Sequence, residues 1–499
     1  MDPKPDSLSK GPDFDVIIIG AGISGINAAY RVQNDAPPKT SYVIFESRDT
    51  IGGTWDVWRY PGIRSDSDVF SFSFSWSPWP GKESLAPGEK IKQYMIESAT
   101  RAGIDKHIRY GHGVVSANWD SEAKCWQVMT QQQGHGREDG EVKLPQLFRS
   151  RFIFLGTGYY DYNQPLHSVI PGIDNFRGKL INPLHWPQDY DYANKEMVVI
   201  GSGATAVSIV PAVAGQVKHV TMLQRSPSWY FPLSQYGKVA GLLRSIFPEK
   251  MARRLNRYRW MAQMQVLLLL CRNMPALSGA LLHFLTARQL PKDTDWNKHF
   301  QPRYDPWDQR LCIVMDGDLF AALRSRRASV VTDHIDTVRR DSIVLKSGQI
   351  LDADVIVAAT GIQLKFGGGI QFSIDDVPFD PTGRFAWKQC MLQDIPNLVF
   401  SLGYAENSWT LGANCAATVM IRVIDELERR KLASAAPRLN ASESREMEPR
   451  PFWKLTSTYL KNMKSIFPQV GTGEWRPRGY YFADLLAAKW GGMKGLVLG

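Results

Sequence analysis

The sequence lacks any arrangement of cysteines suited to a disulfide framework or a metal centre. Its five cysteines, Cys125, Cys271, Cys312, Cys390 and Cys415, are odd in number, widely scattered over 499 residues, and include no C-x-x-C pair. The nine histidines form no cluster at metal-ligand spacing. A structural zinc site is excluded on this reading, and a reducing compartment is implied. An apolar leader is also missing, since MDPKPDSLSKGPDFD runs directly into the first buried strand, and the chain is expected to stay cytoplasmic. The most apolar run, VLLLLC from Val266 to Cys271, is interrupted by Arg272, Asn273 and Pro275, far short of the ~20 residues that span a bilayer. There is no basic tail: 59 Lys and Arg are interspersed with 49 Asp and Glu, for a formal charge of +10. That pattern argues against a nucleic-acid partner and suits a phosphate-bearing ligand or an anionic membrane surface. Low-complexity segments are absent as well.

What is present is enough apolar sequence, 44% of the chain, to build two or three cores. Asp15 to Ile19, DVIII, is a wholly apolar run suited to a parallel strand covered on both faces. It enters Gly20-Ala-Gly22-Ile-Ser-Gly25 and then the helical pattern INAAYRVQ. The first glycine allows the tight turn, the second lets the backbone approach a pyrophosphate, and the third lets helix and strand pack closely. A second strand, SYVIFE, ends at Glu46, 21 residues after Gly25, where an acid hydrogen-bonds adenosine ribose hydroxyls. The unit recurs as MVVI, Gly201-Ser-Gly203-Ala-Thr-Ala206, a helix and HVTMLQRS. There the strand ends on Gln224, Arg225 and Ser226 without an acid. A cation at that point neutralises a 2′-phosphate, so the second site is expected to prefer NADPH.

Two further apolar runs, Arg151 to Tyr159 and Asp354 to Ile362, stop at Thr-Gly, which suits chain crossings beside a ligand. The expected architecture is α/β, with two Rossmann-like dinucleotide-binding domains. The first runs over 1–157, the second over 158–361 with a helical insert at about 236–300, and 362–499 returns to complete the first and cover the site.

Taken together, GAGISG, Glu46, GGTW (Gly52 to Trp55), RYPGIRSDSD (Arg59 to Asp68), FRGKLINPLHWP (Phe176 to Pro187), GSGATA and AATGI resemble the class B flavoprotein monooxygenases. Within them the sequence is similar to Baeyer–Villiger monooxygenases of the kind that activate ethionamide, over about Asp15 to Trp409. The resemblance implies FAD in the first domain, with Gly53, Thr54 and Trp55 beside it, and NADPH in the second. It implies a C4a-peroxyflavin that inserts one atom of molecular oxygen into a small organic substrate, most simply a ketone. Arg310, in DPWDQRLC, matches the family's arginine that holds the negative oxygen intermediate. Asp66 matches the aspartate that positions it. Leu402 to Asn414 resembles the segment that returns to the flavin, with Asn407 and Trp409 as candidate pocket residues.

One motif position departs. The family pattern has a histidine where this chain has Asn182, which hydrogen-bonds but cannot carry a proton between partners. His185 is no free substitute by spacing, because three residues along an extended linker shift a side chain by ~10 Å. Trp186 is read as a packing residue. Two alternatives therefore stand beside ketone oxidation. One is oxygenation of sulfur or nitrogen, or hydroxylation, by the same flavin intermediate. The other is a peripheral membrane-binding protein, motivated by Arg244, Lys250, Arg253, Arg254, Arg257 and Arg259 running into VLLLL.

Overall fold

Two sheets, one mixed and one parallel, organise the computed structural model, which describes residues 11–132, 144–457, 460, 463 and 465–499. In the first sheet, Phe14–Ile19 lies between Tyr42–Phe45 and Gln146–Leu155, parallel to both. Val16, Ile17 and Ile18 are fully buried, which is why this strand has no polar alternation. The hairpin His112–Asp120 and Cys125–Gln132 continues the sheet through the first half of Gln146–Leu155. Later sequence returns to it twice: Leu398–Phe400 pairs with the second half of Gln146–Leu155, and Gln371–Ile374 with His112–Asp120.

The second sheet has five parallel strands in the order Ala328–Thr332, His219–Gln224, Glu196–Ile200, Val355–Ala358, Lys179–Ile181. The helix Ala204–Val213 follows its fingerprint and buries Ala206, Val207, Ile209 and Val210 completely. Both crossing points are tight. A Cβ on Gly20 (φ +102°) would stand 2.8 Å from the Gly156 carbonyl oxygen, and one on Gly201 (φ +140°) would stand 2.3 Å from that of Ala359. Only glycine fits either turn.

Helices Lys238–Ile246, Glu249–Asn273, Pro275–Ala287 and Trp296–His299 fill most of the stretch before strand Cys312–Met315. The longest has Glu249 in its first turn and Arg272 in its last, matching the helix dipole, and Pro275 opens the next helix after a bend of 118°. Among the described residues no single helix is long and apolar enough to cross a membrane. The cationic stripe read from sequence is not a uniform surface. Arg257 is buried, donating to the carbonyl oxygens of Phe70 at 2.8 Å and Ser73 at 2.7 Å. It thus pins the insert to the C-terminal end of the short helix Val69–Phe72, where the last carbonyls of a helix lack intrahelical amide donors. All five cysteines are buried and unpaired.

Candidate active site

The first fingerprint forms a cradle whose glycines do three different things. Gly25 packs against the turn itself: a Cβ there would overlap the Gly20 carbonyl oxygen at 1.8 Å. Gly22 behaves oppositely. Its Cβ would meet nothing closer than the Gly53 Cα at 3.8 Å, so the space before it is open. Gly53 (φ +52°) faces it from GGTW, while Thr54 hydroxyl lies 2.9 Å from that of Tyr162 and Trp55 packs edge-on to Phe72. At the strand end Glu46 is buried, its carboxylate accepting from the Ala21 amide at 2.7 Å and the Arg48 amide at 3.0 Å. Burial pushes its pKa up, and those amide bonds oppose the shift.

The second cradle is equally open, since a Cβ on Gly203 meets nothing within 4 Å. Ala206 is fully buried where the first fingerprint has its third glycine. At the strand end Gln224 turns inward, donating to the His299 carbonyl and the Thr332 hydroxyl, whereas Arg225 and Ser226 are exposed. Ser226 is tied back to the turn, because the Ser202 hydroxyl donates to its carbonyl at 3.2 Å. Arg225 thus stands free of the core beside the fingerprint. Arg225→Ala is expected to narrow the preference for NADPH over NADH by about tenfold, chiefly in KM, because one charged hydrogen bond to a phosphate is lost. Steady-state kinetics with both cofactors checks this; an unchanged ratio places the phosphate elsewhere.

Between the cradles lies a cavity of about 450 Å³, bordered by Gly22, Glu46 and Trp55 on one side and by Ala204 and Thr205 on the other. Asp66 and Arg310, 244 positions apart in sequence, meet in its wall with Oδ1 and a guanidinium nitrogen 3.1 Å apart. Trp409, at the start of helix Trp409–Arg430, donates its indole N–H to the Ser24 hydroxyl at 2.8 Å and stacks on Tyr159 with centroids 4.8 Å apart. Asn407 borders the same cavity, as does Trp453 from the C-terminal stretch. That stretch is fastened next to the arginine, since the Thr456 amide donates to the Asp308 carbonyl at 2.8 Å.

Sequence reasoning singled out Asp66 alone in RYPGIRSD, yet the whole stretch bridges the two sheets. Tyr60 is buried, and its hydroxyl is hydrogen-bonded to Thr205 of the second fingerprint. A Cβ on Gly62 (φ +77°) would stand 2.3 Å from the Ser208 carbonyl oxygen on that fingerprint's helix. Arg64 forms an ion pair with Asp318. The only sequence signal was the dense alternation of Arg, Tyr, Gly and Asp.

The family described as flavin-binding monooxygenase-like matches residues 14–368, well over half the chain. This protein belongs to the flavin-binding monooxygenases. The chain is 39% identical to the FAD-containing monooxygenase EthA of Mycobacterium tuberculosis (strain H37Rv) over 474 residues, covering 95% of this chain and 94% of that one. In fold it is similar to an oxidised steroid monooxygenase bound to NADP, with a TM-score of 0.73, 20% identity, and coverage of 97% and 99%. It is also similar to a polycyclic ketone monooxygenase from Thermothelomyces thermophila, with a TM-score of 0.76, 17% identity, and coverage of 100% and 91%. The two open glycine cradles suit the pyrophosphates of a flavin and a nicotinamide dinucleotide. Gly20, Gly22, Glu46 and Gly53 line the cavity beside the first cradle, and Ala204 and Thr205 beside the second.

The linker at Asn182 is not extended. Pro183–His185 forms a single 3-10 turn, with the His185 amide bonded to the Asn182 carbonyl at 3.0 Å. Three residues then advance only ~6 Å rather than ~10 Å. His185 nevertheless points to solvent, and Trp186 is buried against the second sheet's core. The Asn182 side chain accepts from the Leu184 amide at 3.0 Å, so this flavin-binding monooxygenase uses the motif position as a cap. Asn182→His is expected to change the rate of flavin reduction, or the share of NADPH lost to hydrogen peroxide, without creating or abolishing oxygenation. NADPH consumption measured with and without substrate tests it.

Proposed function

We propose that this FAD- and NADPH-dependent monooxygenase carries out Baeyer–Villiger oxidation, converting a ketone to an ester or lactone with molecular oxygen. The observation that carries the reading is the Arg310–Asp66 pair, a fixed cation in the wall of a cavity that both fingerprints border. Bound FAD, reduced by NADPH, supplies the activation of oxygen. The protein's part is electrostatic and geometric. Asp66 holds the guanidinium by one oxygen and fixes where its remaining N–H groups point. A guanidinium in that wall would stabilise the negative charge that develops as oxygen adds to a carbonyl carbon, and a fixed cation needs no reorganisation at that moment. Ser24, from the first fingerprint, sets the Trp409 ring against Tyr159, and Trp453 closes on the same ring edge-on with centroids 5.2 Å apart. This aromatic wall limits water near the reacting carbon.

Oxygenation of sulfur or nitrogen is the competing reading. It needs a protonated, electrophilic oxygen donor, which a neighbouring guanidinium disfavours. A competition assay with an aliphatic ketone and a thioether of similar size separates the two. The proposal expects ester to accumulate faster than sulfoxide in the wild type; sulfoxide alone would sink it.

A further inference from the structure

The described residues include 25 large apolar side chains that are exposed, and 12 of them fall within residues 236–284. That stretch is about a tenth of the chain, so the exposure is concentrated where the fold needs it least. On helix Pro275–Ala287, Leu277, Leu281 and Phe284 are 56%, 46% and 56% exposed. Spacings of four and three place them on one stripe. The opposite stripe, Ser278, Leu282 and Thr286, is buried, so the helix already has its packing face and the outer one is additional. Met274 at the bend and Leu269 and Val266 on the preceding helix are exposed as well. Scattered single apolar residues need no explanation, but a contiguous patch does.

The insert that carries the patch is cationic, with nine Lys and Arg against one acid, Glu249, over residues 238–291. Arg288, one turn beyond Phe284, lies over that ring at 5.0 Å, and Lys250 and Arg254 are exposed on the long helix. Apolar side chains on a cationic insert complement an anionic interface whose interior is hydrocarbon. Neither helix is both long and apolar enough to span such a layer, and the pair passes that test only when joined across its 118° bend. Lying in the interface fits both facts. The inner face of the long helix is equally telling, since Met264 and Leu267 border a recess with Asp66 and Arg310.

We propose that the bent helix pair Glu249–Asn273 and Pro275–Ala287 docks this enzyme on an anionic lipid surface, without crossing it. The inference is independent of the reaction proposed above. Docking brings the recess behind the active site next to the lipid.

The test is sedimentation of the FAD-loaded protein with vesicles of phosphatidylcholine containing phosphatidylglycerol, and with vesicles of phosphatidylcholine alone. The wild type is expected to pellet with the anionic vesicles, less so with neutral ones, and less as salt rises. The triple variant Leu277→Gln, Leu281→Gln, Phe284→Gln, which keeps helix-favouring residues on an already exposed stripe, is expected to bind at least about tenfold more weakly. Its flavin content and NADPH oxidation should stay unchanged, which separates lost docking from lost folding. Wild-type protein remaining in the supernatant overturns the proposal, as does equal binding by the variant. Sedimentation velocity without vesicles closes the other route: self-association that the triple variant abolishes would assign the patch to a second copy of the chain and overturn lipid docking.

Discussion

Arg310→Ala is expected to bind FAD and consume NADPH much as the wild type does, while ketone oxygenation falls by about 100-fold or more. Removing one fixed donor aimed at developing oxyanion charge costs on the order of 3 kcal/mol in other enzymes, and Arg310 is the cation proposed for that task here. Its side chain is 32% exposed in the cavity wall, so truncation opens no hole in a packed core. The electrons that NADPH delivers must then leave as hydrogen peroxide, so peroxide release should rise as ester formation falls. Arg310→Lys keeps the charge but not the planar fork that Asp66 orients, and should recover only part of the loss. Ester, peroxide and NADPH measured in one reaction mixture check all three expectations. Normal ester formation by Arg310→Ala would assign the catalytic cation elsewhere.

Gly22→Val is expected to purify colourless, with flavin content reduced about tenfold or more, because its side chain enters the space where the pyrophosphate must approach the backbone. This position discriminates better than its neighbours. At Gly20 and Gly25 a Cβ would strike backbone oxygens, and the fold itself would suffer; at Gly22 the protein offers no obstacle within 3.8 Å. Circular dichroism matching the wild type, together with lost absorbance in the flavin region, is the expected pair of results. Gly203→Val is the matched control. Its Cβ also meets nothing within 4 Å, so it should stay yellow and lose NADPH-driven flavin reduction. Full flavin absorbance in purified Gly22→Val would contradict the placement of FAD.

The glycine fingerprints were legible because backbone sterics leave few residues that suit a left-handed turn or a close approach. The matching crossings at Gly156 and Ala359 follow the same logic, with both chains meeting carbonyl to glycine. Asp66 and Arg310 were found only through family resemblance, since nothing local joins residues 244 positions apart. For that reason the other links of RYPGIRSD went unseen: Tyr60 to Thr205, Gly62 to Ser208 and Arg64 to Asp318 are long-range pairings. Arg257 was misread because a basic residue on a helical pattern looks the same whether it meets water or buried carbonyls. The turn at Asn182 was written in the chain, as an Asn before a Pro is a capping signal, but it was overridden by the expectation of an extended linker.

The measurement that bears most directly on the central claim is the fate of isotopically labelled dioxygen. Purified enzyme with FAD, NADPH and a ketone under labelled gas should give an ester or lactone carrying one labelled atom, located by mass spectrometry at the newly inserted ring or chain oxygen rather than the carbonyl. Arg310→Ala under the same gas should place the label in hydrogen peroxide instead. NADPH consumption by the wild type with all label in peroxide, across ketones of graded size, or label entering only a sulfoxide, would contradict the assignment of ketone oxidation to the cavity that Asp66 and Arg310 border.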